Sequence, residues 1–600
     1  MQTFSKILSI LTLHEKKRAI LLLILILCTA FVDVLGVASV MPFVALLTNP
    51  NMIVTNSTLK HIYNISNNFG IISIQQFMFA FGIGVFFLIL FSISIRALSQ
   101  YAQVRFALMR EYTIGKRLIE NYLHQPYSWF LNRNSADLGK TILSEAGSVV
   151  NETILPLITF IAQSILSFSL IVMLFFIDFQ VAFFVILVFS MSYLIIFYLM
   201  KNILSKIGTN RLEANKNRFI AINEAFGSIK EVKVGVYEKN YIDRFSKPAE
   251  ILANCQSTSV LITQLPRNFI EGIAFGGIVL LILFLIAQGN LFSSIVPIIS
   301  LYIFTGYRLL PSLQAIYGSV SLLRVSRPSL NKIHEDIMNL DNLEKVATNI
   351  LPMAFNKSIV LKNISFHYSG NKQAGVQNIN LSIPALSKAG VVGITGSGKT
   401  TLIDIILGLL EPTQGTLEVD GNIISSNNSN IKSWQKSIGY VPQQIFLIDD
   451  SVLANIAFGI DPKKIDYAAV EHAAKVANLH DFVLNELPNA YNTIVGDKGV
   501  RLSGGQRQRI AIARALYHKP KVLILDEATS ALDSLTEKKI LDSINILENK
   551  VTTILITHRL SSVKNCDIIF LLDQGKLKEQ GSYKELKQLN QVFKKMSETN

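Results

Sequence analysis

Six apolar runs in the first 320 residues limit the fold of this 600-residue chain more than any other feature. A helix that spans a bilayer needs about 20 mostly apolar residues. Runs of that length lie at about 19–47, 71–96, 152–177, 179–200, 260–287 and 292–318. We predict that each run forms one membrane-spanning helix, so that a transmembrane domain occupies 19–320 and both of its ends lie on one side.

The links between these runs differ in charge. The long links at 97–151 and 201–259 are rich in lysine and arginine. In the loop at 48–70, Lys60 is the single lysine or arginine. Positive charge marks the cytoplasmic side of a membrane protein, so we expect both long links and the C-terminal region to face the cytoplasm. This placement also accounts for the net charge of +14 better than nucleic-acid binding does, because no basic stripe with interleaved aromatic residues is present.

The N-terminus resembles a signal peptide in one respect, since His14–Arg18 precedes an apolar run. That run is too long for the apolar segment of a signal peptide and lacks a small-residue cleavage site, so we predict a retained membrane helix. Residues 4–13 have helical apolar spacing, and we expect residues 1–18 to include a helix in the inner interface. Cys28, Cys255 and Cys566 are too far apart to suggest a disulfide framework or a metal site.

A glycine-rich loop identifies the chemistry of the C-terminal part. Residues 321–356 have a polar helical pattern typical of a linker, and 357–600 alternate strand and helix patterns as an α/β domain does. Within that domain Gly393–Thr400 (GITGSGKT) follows an apolar strand and precedes a helix. In such a loop the backbone N–H groups surround phosphates, Lys399 reaches the β- and γ-phosphates, and the Thr400 hydroxyl holds Mg²⁺.

Two carboxylates follow a second apolar strand at 522–525. A buried parallel strand delivers both acids to the edge of the sheet where the phosphate loop lies. Asp526 is then placed to hold Mg²⁺ and Glu527 to activate the attacking water. The alternative is a strand that ends at a solvated acidic turn.

A further glycine pair lies in Leu502–Gln506 (LSGGQ), immediately before a helical pattern. Ser503 and Gln506 have the spacing of a capping box, so the helix begins there with exposed N–H groups. The positive end of its dipole makes this a second anion site, although by itself the segment is also what a well-capped helix requires.

Leu502–Gln506 resembles the signature motif of ATP-binding cassette (ABC) proteins, and its place between the phosphate loop and the acidic strand matches that family. The resemblance covers about 357–580. It implies that Tyr368 stacks on adenine, that Gln443 contacts the metal and relays to the membrane domain, and that His558 contacts the γ-phosphate. It also implies that Ser530–Asp533 crosses a dimer interface.

The resemblance implies a site shared between two chains, so that the working unit is a homodimer with ATP and Mg²⁺ as cofactors. In one chain the implied ATP-binding residues are Tyr368, Gly393, Ile394, Thr395, Gly396, Ser397, Gly398, Lys399, Thr400, Thr401 and Gln443. In the partner chain they are Ser503, Gly504, Gly505 and Gln506. Mg²⁺ is expected at Thr400, Gln443 and Asp526, and catalysis at Glu527 and His558.

The membrane half resembles the exporter-type ABC fold, an α-helical domain of six spans joined to an α/β cassette. That fold implies short coupling helices, which we place near 130–140 and 212–224. Charged groups inside the spans mark candidate functional positions, and here they are Asp33, Arg267, Glu271 and Arg308. Arg267 also has simpler explanations, because it can reach the inner interface or pair with Glu271 one turn on.

Three membrane segments resemble the PglK-type branch, bacterial flippases of lipid-linked oligosaccharides. They lie at 40–43, 266–272 and 307–312, and 59–63 has the pattern of the short external helix of that branch. The resemblance implies an inner-membrane flippase of a polyprenyl-pyrophosphate-linked glycan, with Arg267 and Arg308 on the substrate path. The alternatives are an ABC exporter of another lipid, a peptide or a drug, and a nucleotide-gated channel.

Overall fold

A computed structural model describes most of the chain in two compact units. The described residues are 2–50, 53, 57–68, 71, 73–177, 179–287, 292–338, 340, 350–368, 374–425, 430–496, 499–527, 551–591 and 593–594. The first unit comprises Met1–Gln125 and Asn132–Leu343, and the second comprises Pro126–Leu131 and Glu344–Asn600.

The first unit is helical throughout its described part. Its helices are α1 (Gln2–Ile10), α2 (Leu13–Ala38), α3 (Val40–Thr48), α4 (Ser57–Asn67), α5 (Ile74–Leu123), α7 (Ser135–Lys140), α8 (Ala146–Val149), α9 (Leu155–Ile177), α10 (Phe179–Gly227), α11 (Ile229–Val234), α12 (Glu238–Ala287), α13 (Phe292–Val325) and α14 (Arg327–Met338). The helix α6 (Tyr127–Leu131) belongs to the second unit. Two π-helical turns, Thr141–Glu145 and Val150–Ile154, flank α8.

Local sequence signals explain where the first long helices begin. Thr12 caps α2 in a capping box with Glu15, and Ser73 caps α5 in the same way with Gln76. In the first apolar run α2 ends at Ala38 and α3 begins at Val40, and the Ser39 hydroxyl between them donates to the Gly36 carbonyl (2.8 Å).

Three described helical segments are long and apolar enough to cross a membrane. They are Leu13–Thr48, Ile74–Leu123 and Ser135–Ile177. The other three predicted spans lie within α10, α12 and α13, parts of which have side chains outside the described set. Several helices run well beyond the predicted spans, because amphipathic segments continue the backbone helix after the apolar residues end.

The second predicted coupling helix is wrong in position. Residues 212–224 lie inside α10, and the short helix is α11, which begins after Ser228. In the other long link, the predicted 130–140 segment contains the end of α6, a break, and α7. The helical periodicity of 201–259 continues on both sides of the break, so it does not reveal where the chain turns.

An ion pair between a half-exposed arginine and a buried aspartate joins α2 to α5 within the predicted spans. Arg96 Nη2 donates to Asp33 Oδ1 (2.8 Å), and the Ser92 hydroxyl donates to the same oxygen. Asp33 is 3% exposed, and Gly36 packs against Ser92 one turn away. The opposite charges of Asp33 on α2 and Arg96 on α5 therefore neutralise each other.

The loop at 48–70 contains the helix that the PglK-type resemblance implied at 59–63. Leu59 of α4 is buried with Leu46 and Phe77, and the Tyr63 ring meets the Phe77 ring edge-on at 5.1 Å.

The second unit contains two sheets. Strands β1 (Ser358–His367), β2 (Ala374–Pro384), β4 (Gln414–Val419) and β5 (Asn422–Ile424) form an antiparallel sheet in the order β2-β1-β4-β5. The other sheet has the order β10-β9-β3-β8-β7-β6, with β3 (Lys388–Gly393), β6 (Ile438–Val441), β7 (Val522–Asp526), β8 (Thr552–Thr557), β9 (Ile568–Asp573) and β10 (Lys576–Gly581). Its strands are parallel except for β10.

Helices of the second unit cover these sheets. They are α15 (Lys399–Ile406), α16 (Asn430–Gln435), α17 (Val452–Ile456), α18 (Tyr467–Val476), α19 (His480–Asn485), α20 (Gly504–Tyr517) and α21 (Tyr583–Leu589). Strands β3, β7 and β8 are buried along their whole length, as expected for the centre of a covered parallel sheet. Their carboxyl ends therefore meet at one edge, where the polar residues predicted for the site follow them.

Candidate functional site

The loop after β3 has the backbone that phosphate binding requires. Gly396 (φ +81°) and Gly398 (φ +96°) occupy left-handed conformations, and α15 begins directly after Gly398. A Cβ on Gly398 would lie 2.6 Å from the Gly375 carbonyl, so this close approach also requires glycine. The N–H groups at the start of α15 are thus turned toward the loop, an arrangement suited to an anion.

Lys399 is held at this loop by backbone oxygens. Its Nζ donates to the carbonyls of Gly393 (2.7 Å) and Ile394 (3.0 Å). Burial lowers the pKa of the Lys399 ammonium, and the nearby carboxylates of Glu527 and Asp526 act in the opposite direction. The cation and the two acids therefore lie in one electrostatic cluster.

The side chain of Tyr368 lies beside the same helix. Its hydroxyl and that of Thr401 are 3.0 Å apart, and its ring meets Phe366 edge-on at 5.0 Å. The aromatic group predicted to stack on adenine is therefore anchored to the helix that follows the phosphate loop.

Glu527 is the centre of a hydrogen-bonded group at the ends of β6, β7 and β8. Gln443 Nε2 donates to Glu527 Oε2 (2.7 Å), and His558 Nδ1 lies 3.1 Å from Glu527 Oε1. The Glu527 N–H donates to the Ile556 carbonyl (2.9 Å). Three residues that the sequence analysis selected separately are thus brought into direct contact.

Two carboxylic acids of the site, Asp526 and Asp404, have raised pKa values. Burial first, and then the charge of Glu527, raises the pKa of Asp526 above its ordinary value. Burial together with Asp526 raises the pKa of Asp404, in α15, to about 6. Burial is the larger cause for both carboxylates, and the charge of Lys399 acts in the opposite direction on Asp526.

The predicted magnesium ligands fit that ion chemically. Thr400, Gln443 and Asp526 offer a hydroxyl, an amide and a carboxylate oxygen, the hard donors that Mg²⁺ prefers. Asp526 is 8% exposed at the carboxyl end of β7, and a divalent cation bound there would stabilise its ionised form.

The predicted signature segment begins α20. The Gln506 N–H donates to the Ser503 hydroxyl (3.2 Å), and the Ser503 N–H donates to Gln506 Oε1 (2.8 Å). The predicted capping box is therefore present. Ser530–Asp533, the predicted interface loop, lies outside the described residues.

Two residues beside the site were not selected from sequence. Tyr127 of α6 has its pKa raised by burial first and then by the charges of Asp404 and Tyr368, which places it in their neighbourhood. Asp404 lies one helical turn after Thr400, and this four-residue spacing could have predicted from the sequence that it lies near the site. For Tyr127 no sequence signal pointed to the cassette, because it lies far away in the chain.

The predicted substrate-path residues are in the first unit. Arg267 Nε donates to Glu271 Oε1 (2.6 Å) one turn on, the simpler arrangement that its spacing allowed. Both side chains are exposed, so the pair is accessible. Arg308 is half-buried on α13.

Comparison with known proteins identifies both halves of the chain. Residues 376–530 match the ABC transporter family, and 22–306 match the ABC transporter transmembrane region. The ATP-dependent lipid A-core flippase of Cupriavidus pinatubonensis is 30% identical over 488 residues, covering 80% of each chain. The heterocyst differentiation ATP-binding protein HepA of Nostoc sp. is 37% identical over 346 residues, covering 57% of this chain and 55% of that protein.

A solved structure agrees with the fold. The structure of a bacterial Atm1-family ABC exporter with ATP bound has a TM-score of 0.79 and covers 97% of this chain and 98% of its own. The sequences are 22% identical. The predicted fold class, a helical transmembrane domain fused to an α/β nucleotide-binding domain, is confirmed.

Proposed function

Because this chain belongs to the ABC transporter family, as a multi-pass, ATP-hydrolysing half-transporter of the exporter type, we propose that it flips a lipid-linked substrate across the bacterial inner membrane. The main support for a lipid substrate is the similarity to lipid A-core flippases over about four fifths of the chain. In this topology six spans lie in 19–320 and the cassette, 357–600, is cytoplasmic.

The lipid is a polyprenyl-pyrophosphate-linked oligosaccharide. Arg308 supports an anionic head group, because a guanidinium within a membrane span can donate several hydrogen bonds to phosphate oxygens. Arg267 lies one turn from its carboxylate partner and is accessible for exchange with a ligand. These two arginines are the proposed substrate-path residues.

The outer end of the membrane unit offers room for an apolar chain. Two shallow grooves, open along most of their length, lie there, and Ile62 and Ser66 of α4 border the first. Their walls are almost entirely apolar and include Phe77, Phe81, Leu88, Phe43, Phe79 and Phe86. An apolar lipid tail is the chemical partner that such walls accept without leaving polar groups unsatisfied.

The residues of the cassette carry distinct steps. Tyr368 stacks on adenine, and the N–H groups of 393–401 with Lys399 bind the phosphates. Thr400, Gln443 and Asp526 would hold Mg²⁺, which would neutralise phosphate charge. Glu527 accepts the proton of the attacking water, and His558, which contacts Glu527 Oε1, orients that carboxylate and the γ-phosphate.

A homodimer completes the site. Ser503, Gly504, Gly505 and Gln506 present the positive end of α20, which binds an anion but lies at a different helix from the phosphate loop. In the dimer these residues bind the ATP held by Lys399 of the partner. ATP binding closes the two cassettes, the membrane halves turn outward, and hydrolysis resets them.

A second candidate substrate is a lipid A-like lipid. The relatives named as lipid A-core flippases favour it, and its phosphates would use the same arginines. The experiment must therefore separate the two lipids.

Flipping in proteoliposomes tests the substrate. The purified chain receives fluorescent polyprenyl-pyrophosphate glycan in one preparation and lipid A in another, and ATPase stimulation is measured in parallel. We expect flipping and stimulation with the polyprenyl lipid. Stimulation by lipid A alone would assign the second substrate, and ion current without flipping would indicate a channel.

Arg308→Ala tests the anion site. We expect flipping of the pyrophosphate-linked glycan to fall at least tenfold while basal ATPase stays within twofold, because the cassette is unchanged. Arg324→Ala is the matched control, since Arg324 lies in the last turn of the same helix, beyond the predicted span. Equal flipping by the Arg308 variant and wild type would reject this role.

A further inference from the structure

Two parts of the proposed ATP site lie on different elements of one cassette. Gln443 follows β6 and contacts Glu527, whereas Ser503 begins α20 and serves the partner's nucleotide in the proposed dimer. A polar cluster formed by Asn455 and Arg514 lies between these segments and belongs to neither proposed binding set.

Asn455 fixes the shape of the loop that follows Gln443. It is fully buried, and its Oδ1 accepts the Ile448 N–H at 3.0 Å. Its Nδ2 donates to the Ile448 carbonyl (3.0 Å) and the Ser451 carbonyl (3.1 Å). The Asn455 side chain therefore forms hydrogen bonds with backbone N–H and C=O groups of a loop that is not part of a helix or sheet.

Arg514 attaches the same loop to α20. Its Nη1 donates to the Phe446 carbonyl (2.9 Å), while Nε donates to the Asn455 carbonyl (2.8 Å) and Nη2 to Asn455 Oδ1 (3.1 Å). The guanidinium also lies 4.5 Å from the centre of the Phe458 ring. The planar guanidinium group can direct several N–H donors at these oxygens at once. A lysine ammonium could not reproduce that geometry.

The charge of Arg514 makes the arrangement unusual. Among the described residues no carboxylate forms an ion pair with it, and its three hydrogen bonds go to neutral oxygens. Burial lowers the pKa of this guanidinium, so its positive charge is partly desolvated. A neutral or apolar side chain would avoid that cost, which indicates that the geometry of the guanidinium is what matters here.

These contacts form a continuous path. Glu527 bonds Gln443, Phe446 lies three residues after Gln443, and Arg514 bonds the Phe446 carbonyl. Arg514 is eleven residues along the same rigid helix from Ser503, about 16 Å at the helical rise.

We propose that Arg514, held by its hydrogen bonds to Asn455, is a positioning residue. It links the position of the signature segment Ser503–Gln506, at the start of α20, to the position of Gln443. The inference rests on the proposed function, because Ser503 acts there on the partner's ATP. The state of one nucleotide site is then passed through Arg514 to the other, and this coupling is needed for hydrolysis but not for the first binding of ATP.

Arg514→Gln in the full chain tests the inference. ATP affinity is measured by equilibrium binding and kcat by phosphate release. We expect affinity within twofold of wild type, since Tyr368 and the phosphate loop are untouched, and a kcat at least tenfold lower. Arg514→Lys keeps the charge but not the planar guanidinium, and we expect an intermediate loss of about threefold.

Arg509→Gln is the matched control. Arg509 lies on the same helix, donates to the Asn478 carbonyl (2.9 Å) and lies 5.6 Å from the Phe482 ring, so its described contacts are with a different segment from those of Arg514. Its kcat should stay within twofold of wild type. Equal losses in the Arg509 and Arg514 variants would overturn the inference, as would a fall in ATP affinity proportional to the fall in kcat.

A double-variant comparison separates positioning from general stability. If Arg514 acts through Gln443, then Gln443→Ala combined with Arg514→Gln should lower kcat no more than the worse single change. A multiplicative loss would contradict the path, and Arg514→Lys replaces Arg514→Gln in this comparison if the latter does not fold. Wild-type ATPase without flipping of any lipid would reject the proposed substrate and leave this inference standing.

Discussion

At the scale of single residues, Glu527 combines backbone strain with a position between two polar side chains. Its φ is +48°, in the left-handed region, which costs a non-glycine residue about 1–3 kcal/mol. Its N–H bond to Ile556 and its contacts with Gln443 and His558 hold that conformation. The strained backbone aims the carboxylate away from the strand, which is how a base at a strand end reaches its water.

Glu527→Gln should therefore separate binding from hydrolysis. The amide keeps the shape and an oxygen for Gln443 but cannot take a proton at neutral pH, so we expect kcat to fall about 10²–10³-fold. ATP affinity should change by less than threefold. Glu486→Gln, at an exposed acid of the same domain, is the control. Near-normal turnover would show that another group activates the water.

Asp404 predicts a pH dependence of stability. Its pKa is raised from 3.8 to about 6, so ionisation is less favourable in the fold than in the unfolded chain. The destabilisation is absent below pH 4, grows as the pH rises to about 6, and is complete above it. After allowance for solvent screening, Asp404→Asn should stabilise the protein at pH 8 by about 1 kcal/mol.

Thermal unfolding without nucleotide at pH 5 and pH 8 measures this effect, with Asp449→Asn as an exposed control. The stabilisation by Asp404→Asn should be larger at pH 8. An equal gain at both values would mean that the carboxylate is not the source.

At the scale of elements, α10 meets the junction between α13 and α14 through a glycine. A Cβ on Gly208 would overlap the Val325 carbonyl oxygen and lie 3.3 Å from Pro328 Cδ. Leu204 and Ile207, which precede Gly208 on the same helix, are buried in one cluster with Val325. The close approach of two helix backbones therefore depends on the missing side chain.

Gly208→Ala should lower the free energy of unfolding by about 1–3 kcal/mol, as overpacking of a tight contact does. Gly115→Ala is the matched control, because Gly115 also lies in a long helix and a Cβ there would meet nothing within 4 Å. The better helix propensity of alanine should leave that variant neutral or more stable. Thermal unfolding in detergent compares them, and equal melting temperatures would refute the packing argument.

The elements also show how far sequence reasoning reached. Strand–loop–helix order around 393–400 and the capping box at Ser503 follow from local patterns, and both are present. The helix at 59–63 was implied by the PglK-type resemblance, and the structure contains a helix there. The break at Ser228 was missed because apolar spacing persists through it, although Gly227 and Gly235 flank α11 and are a usable signal. Contacts such as Arg514 with Phe446 depend on tertiary packing between distant segments, which periodicity does not encode.

At the scale of the whole molecule, the proposed site needs two chains. Cysteines placed at Thr395 and Ser503, after replacement of Cys28, Cys255 and Cys566, should form a disulfide between chains when ATP is present. The Glu527→Gln background keeps the closed state populated. Denaturing gels without reductant would show the covalent dimer, and each single cysteine serves as a control.

A cross-linked dimer that forms equally without nucleotide, or none under any condition, would contradict the shared site. With the Lys399→Ala change added, the ATP dependence should disappear, because the phosphates lose their main cation.

The Asp33–Arg96 pair has a consequence for how the chain enters the bilayer during synthesis. Alone, α2 carries a carboxylate inside its apolar run, and an unpaired charge there costs about 2.5–3.5 kcal/mol on insertion. The compensating guanidinium arrives only with α5, some sixty residues later. We therefore expect the first two membrane helices to insert as a hairpin, so that Arg96→Ala delays the integration of α2 in a glycosylation-mapping assay whereas Arg105→Ala does not.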